Sequence, residues 1–122
     1  MDFSILVGKT LESIENSGER LTFHIDDGTA YVSYHSQDCC ESVQIDHVDG
    51  NVEDIIGQMI VEAEDWEDGD PVPDVKYQPE SHTWTRQRIR TNKGEVTFHW
   101  LGESNGYYGE TPYFQLTHGK KV

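Results

Sequence analysis

The chain has 122 residues, 34% of them hydrophobic, and its 23 Asp and Glu outweigh 9 Lys and Arg to leave a formal charge of −14. That length allows one domain, residues 1–122, burying about two-thirds of its unfolded surface, and leaves no room for a second core. The charge disfavours direct nucleic-acid binding and anionic membranes and favours basic protein surfaces. No apolar run approaches the roughly 18 residues of a membrane span, and no charged-then-apolar leader opens the chain, so a cytoplasmic protein is expected.

In chain order, the apolar start Phe3, Ile5, Leu6 and Val7 is expected to dock on the core. Lys9 to Asn16 alternates through Leu11 and Ile14 and ends at the turn Asn16-Ser17-Gly18. Arg20 to Ile25 places Leu21, Phe23 and Ile25 on one face. After Asp26-Asp27-Gly28, Ala30 to His35 sets Tyr31 and Ser33 against Val32 and Tyr34. These segments predict an antiparallel meander.

The second half of His35 to Val48 reads as a strand, broken at Asp49-Gly50-Asn51. Asn51 is placed to cap a short helix, Val52 to Ile56, with Glu53 and Asp54 near the positive end of its dipole and Gly57 as its stop. Gln58 to Trp66 returns as a strand with Met59, Val61 and Ala63 on one side. The proline-bearing acidic stretch 66–79 predicts a mobile loop.

Ser81 to Leu101 predicts a β-hairpin about Asn92-Lys93-Gly94, where Gly or Asn can supply the positive φ of a tight turn. An even loop sets Arg86, Arg88 and Arg90 on one face with Glu95, Thr97 and His99. The other face then carries Thr85, Gln87 and Ile89 with Val96, Phe98 and Trp100. An odd loop would lay arginines over Phe98 and Trp100, so the even register is expected. A last strand runs from about Thr111 to Thr117. The fold class expected is α+β, mainly antiparallel sheet with one short helix, closed as a barrel or stacked as two sheets.

The motifs Gln37-Asp38-Cys39-Cys40-Glu41-Ser42-Val43, Thr83-Trp84-Thr85 and Trp100-Leu101-Gly102-Glu103-Ser104-Asn105-Gly106-Tyr107-Tyr108 together resemble a family of short proteins encoded mainly by tailed bacteriophages and their hosts. The resemblance spans nearly the whole chain and carries no activity with it. It implies a phage-type setting in the host cytoplasm, where small accessory proteins often inhibit host defence or redirect host machinery.

Two binding surfaces compete. Glu62, Glu64, Asp65, Glu67, Asp68 and Asp70, with Asp74, concentrate carboxylates that suit a basic partner protein, or simply a solvated face. Arg86, Arg88 and Arg90, about 7 Å apart along one strand face, could clamp a phosphorylated small molecule or nucleotide. Trp84, Asn105, Tyr107 and Tyr108 would then complete that pocket. The bland reading of the stripe is neutralisation by Glu95 and other carboxylates.

His35, Cys39, Cys40 and His47 carry zinc-ligand chemistry, but adjacent cysteines point to opposite faces of a strand and do not match usual zinc spacings. A bridge between neighbouring cysteines is strained, so a reducing compartment fits. Cys40 with a histidine could be drawn as a nucleophile and base, yet no oxyanion signature accompanies it. The sequence therefore reads as non-enzymatic and without a cofactor. It fits a binding protein for a host factor, with a homodimer through a self-pairing edge strand as a further expectation.

Overall fold

The computed structural model describes residues 2–37, 41–71, 81–104 and 109–118. Its strands are β1 (Leu11–Asn16), β2 (Arg20–Ile25), β3 (Ala30–Tyr34), β4 (Glu41–Asp49), β5 (Ile60–Asp68), β6 (Ser81–Thr91), β7 (Glu95–Ser104) and β8 (Tyr113–His118). They form two four-stranded antiparallel sheets, ordered β1-β2-β3-β8 and β4-β7-β6-β5. The expected meander is thus one sheet, completed by the last strand, and the central hairpin is the middle of the other.

The two inner faces share one core. Leu21, Phe23, Tyr31 and Phe114 from the first sheet pack with Val43, Ala63, Ile89, Val96, Phe98 and Trp100 from the second. Phe3 and Leu6 of an opening 3-10 turn, Phe3–Leu6, are fully buried in it as expected, whereas Ile5 and Val7 of the same apolar run are exposed. A polar bridge crosses this interior: Gln87 Nε2 donates to Ser33 Oγ at 2.8 Å, and Trp100 Nε1 donates to Gln87 Oε1 at 2.9 Å. At one edge the sheets are stitched together, where Gly8 and Ile60 amides donate to the Ile60 and Lys9 carbonyls.

The expected helix at Val52 to Ile56 is corrected to a single 3-10 turn, Val52–Asp54, and no α-helix occurs among the described residues. Asn51 does cap it, accepting from the Glu53 amide at 3.1 Å. Only six residues separate Gly50 from Gly57, both at positive φ, and so short a stretch cannot offset helix nucleation. The described part is mostly antiparallel β-structure, and the α+β assignment gives way. No helix among the described residues is long and apolar enough to cross a membrane.

Two further corrections concern β5 and the hairpin turn. Strand β5 has a register shift between Ile60 and Glu62, so the simple alternation Met59, Val61, Ala63 fails. Ile60 and Ala63 face the core, whereas Met59 is 52% exposed. Glu67 and Asp68, expected as loop, extend this strand beyond Trp66, and residues 72–79 of that segment lie outside the described residues. Gly94 is not at positive φ; a Cβ there would lie 2.8 Å from the Asp54 Cβ, so a close approach of the 3-10 turn requires glycine.

Candidate functional site

Strands β6 and β7 pair in the even register, with Arg86 opposite His99, Arg88 opposite Thr97 and Arg90 opposite Glu95. The alternation of the sequence therefore puts the three arginines on the outer face of the second sheet, backed by the buried row Thr85, Gln87 and Ile89. Antiparallel pairing with β5 then sets Glu62 against Arg90, Glu64 against Arg88 and Trp66 against Arg86. The acidic strand and the basic stripe are neighbours on one surface.

Their charges cancel through specific bonds. Arg88 donates from Nη1 to Glu62 and Glu64, both at 2.9 Å, and from Nε to Glu95 at 2.8 Å. Glu95 first, then Glu62, raise the Arg88 guanidinium above its ordinary range, and Arg90 with Arg88 holds the Glu62 carboxyl below the usual carboxylate range. Arg90 also reaches Glu62.

Arg86 grips Asp68 in a two-pronged contact, Nε to Oδ2 at 3.0 Å and Nη2 to Oδ1 at 3.1 Å, and reaches Asp70 at 3.3 Å. Its guanidinium lies 4.4 Å from the Trp84 ring centroid. The Asp70 carbonyl accepts from Trp84 Nε1 at 2.9 Å and from the His82 ring, so the end of β5 folds back over Trp84, which is 2% exposed. Trp84 is thus a buried platform for Arg86.

The fourth bond of Arg86 runs from Nη1 to His99 Nδ1 at 2.7 Å. A guanidinium only donates, so Nδ1 must accept, and Nε2 carries the ring hydrogen that it donates to Asp49 at 2.8 Å. His99 is held as a neutral imidazole. Burial pushes it below the ordinary histidine range, against the pull of Asp49 and with the help of His47 and Arg86. His47 stacks on His99 with centroids 4.1 Å apart and planes 13° apart, and contacts Asp46 at 2.7 Å.

His47, Asp49 and His99 bring ligand atoms within 4.8 Å of one another. They do not fit a metal ion as they stand. His99 Nε2 has no lone pair to give while Nδ1 accepts from Arg86, and nearly parallel stacked rings aim their nitrogens side by side rather than at one point. Of the sequence-level zinc candidates, His47 lies here on the outer face. His35 instead stacks on Tyr113 at 5.7 Å and bonds the Thr111 carbonyl at 3.0 Å. Cys39 and Cys40 lie outside the described residues, as do Asn105, Tyr107 and Tyr108 of the expected ligand pocket.

The acidic candidates divide between faces. Glu62, Glu64, Asp68 and Asp70 bond arginines. Asp65 and Glu67 alternate to the other side, opposite the buried Gln87 and Thr85. His99 lies on the arginine face as the even register predicts, whereas Asp49 and His47 were missed as members of the outer cluster. The shift between Ile45 and His47 turns His47 outward onto His99, and nothing in the composition of β4 marks that bulge.

A family match completes this description, covering residues 4–114. The chain belongs to the family described as Domain of unknown function (DUF7448). The match takes in β1 to β7, the start of β8 and the whole arginine ladder of this DUF7448 chain. No curated protein and no solved structure matches it.

Proposed function

We propose that this DUF7448 chain is a non-enzymatic accessory protein that binds a basic surface of a host protein in the cytoplasm, in a phage-type setting of counter-defence or inhibition. The observation that carries this reading is the saturation of the arginine ladder. Arg86 and Arg88 are committed to Asp68, Asp70, Glu62, Glu64 and Glu95, so the arginine cluster is neutralised within its own sheet and offers no positive patch to offset a chain whose net charge is −14. An acidic surface of this kind steers basic partners and is screened by salt.

The alternative, a pocket of Trp84, Arg86, Arg88 and Arg90 for a phosphorylated small molecule, requires the incoming phosphate to displace carboxylates already bonded at 2.8–3.3 Å. That exchange replaces formed charge-assisted bonds rather than adding new ones. The docking reading is therefore the stronger of the two.

Binding of a lysine-rich peptide, compared with a serine-rich peptide of equal length across ionic strength, tests it. The reading expects selectivity for lysine that falls steeply with salt and survives Arg88→Ala. Equal affinity for the two peptides, or indifference to salt, contradicts it.

A further inference from the structure

Asp65 and Glu67 do not take part in the ladder, and the place they occupy differs from the rest of the acidic surface. Both lie on the side of β5 that faces the other sheet, and Glu67 is directly opposite Thr85 of β6. Thr111 and Pro112, leading into β8, approach from the first sheet and close a cavity of about 130 Å³ that Trp66 also lines. That volume is below the range of small-molecule pockets, about 300–1,000 Å³, and suits the end of a single side chain.

Two features of this cavity lack a partner. Thr85 is 6% exposed, and its buried Oγ1 makes no hydrogen bond among the described residues, an arrangement that native interiors avoid because a buried hydroxyl left unpaired is costly. Asp65 and Glu67 make no ion pair among the described residues, although Glu62, Glu64 and Asp68 on the opposite side of the same strand all do. Burial, and then the nearby Asp2, raise the Asp65 carboxyl above its ordinary range, so a cation entering here would relieve a carboxylate disfavoured in its ionised form. Trp66, 42% exposed, borders the cavity between Asp65 and Glu67 along the strand and itself alternates toward Arg86.

We propose that the cavity walled by Asp65, Trp66, Glu67, Thr85, Thr111 and Pro112 receives the cationic side chain of a lysine or arginine from the partner protein, with Thr85 Oγ1 accepting one of its hydrogens. This rests on the docking reading above and names its anchor. The other exposed carboxylates supply long-range attraction, whereas this cavity supplies two carboxylates and a hydrogen-bond acceptor at one point.

The test is a ¹H–¹⁵N NMR titration of the full chain with Nα-acetyl-lysine amide, with neutral Nα-acetyl-norleucine amide and with calcium chloride. The lysine probe is expected to move the Thr85 and Thr111 amides and the Trp66 indole, and norleucine to leave them in place. Asp65→Asn with Glu67→Gln should weaken the lysine response by about tenfold, the loss expected when charge-assisted bonds disappear. Glu12→Gln with Glu19→Gln, exposed carboxylates on β1 and on the turn after it, should lower it less than about twofold. Thr85→Val should weaken it several-fold, and Thr85→Ser serves if the valine variant fails to fold. Equal shifts with norleucine, insensitivity to the Asp65 and Glu67 changes, or the same resonances moving with calcium below the lysine concentration would overturn the proposal. A lysine response at the cavity without salt-sensitive binding of a lysine-rich peptide would overturn the docking reading alone. Peptide binding without that response would overturn the cavity alone.

Discussion

Arg86 Nη1 lies 2.7 Å from His99 Nδ1, and this single contact decides which nitrogen of His99 carries its hydrogen. It links a bonded guanidinium on β6 to a buried imidazole on β7 and, through Nε2, to Asp49 on β4. The cost of protonating His99 follows from the same geometry, because a charged ring would turn a second donor toward Arg86.

A pH dependence follows. The folded-state pKa of His99 lies below its unfolded value of about 6.5, so the unfolded chain binds the proton first. The stability that His99 contributes is present above about 6.5 and is lost as pH falls below it. Glu62 and Asp68 act in a lower window: their folded pKa values lie below 4.5 and 3.8, so their contribution is present above those values and disappears as pH falls further. NMR titration of the His99 ring should give a midpoint below 6.5, and the melting temperature should decline in two stages on acidification. A His99 midpoint at or above 6.5 contradicts the assigned tautomer.

Arg88→Ala removes the common partner of Glu62, Glu64 and Glu95 and leaves three carboxylates facing one another across β5, β6 and β7. These acids are about half exposed, so screening limits the loss to a few degrees in melting temperature. The deficit should shrink as salt is added, because what remains is repulsion between like charges. A deficit of the same size at all ionic strengths would point to lost packing instead.

Gln87 is the polar hinge of the core. Gln87→Leu strands the Trp100 indole N–H and the Ser33 hydroxyl, both inside the sandwich, and should cost about 2–4 kcal/mol in urea unfolding. Ser33→Ala, which leaves the Gln87 amide to Trp100, should cost about 1 kcal/mol. The two changes together should cost less than their sum, since they share a bond. Additive losses contradict the bridge.

Gly102 and Gly69 make a matched pair. A Cβ at Gly102 would sit 1.8 Å from the Glu110 carbonyl oxygen, a backbone atom held where the Glu110 carboxylate accepts from Thr83 and Ser104. Gly102→Ala should therefore prevent folding or displace the segment into β8. Gly69 has open space around it, and Gly69→Ala should leave the melting temperature within a degree or so. Circular dichroism of the two variants checks both.

The hairpin was legible because its two faces differ in chemistry: only the even register keeps Phe98 and Trp100 away from Arg86 and Arg88. Neutralisation of the stripe was legible as one reading among several, since it depends on β5 pairing beside β6, which alternation within either strand does not specify. The turns of β4 and β5 were hidden for a physical reason. A one-residue bulge at Asp46 or Val61 reverses which side chains face the core, and it needs neither glycine nor proline to form. Alternation therefore placed Val61 inside and overlooked His47 on the outer face. The capping chemistry of Asn51 was readable, but it marks the start of a turn as well as of a helix.

The measurement that bears most directly on the docking account is native mass spectrometry of the chain isolated at low ionic strength from cells that naturally carry it. The account predicts a retained basic protein that dissociates as salt rises and is lost in the Asp65→Asn, Glu67→Gln variant. A retained phosphorylated small molecule, released by Arg88→Ala and indifferent to Asp65 and Glu67, would contradict it.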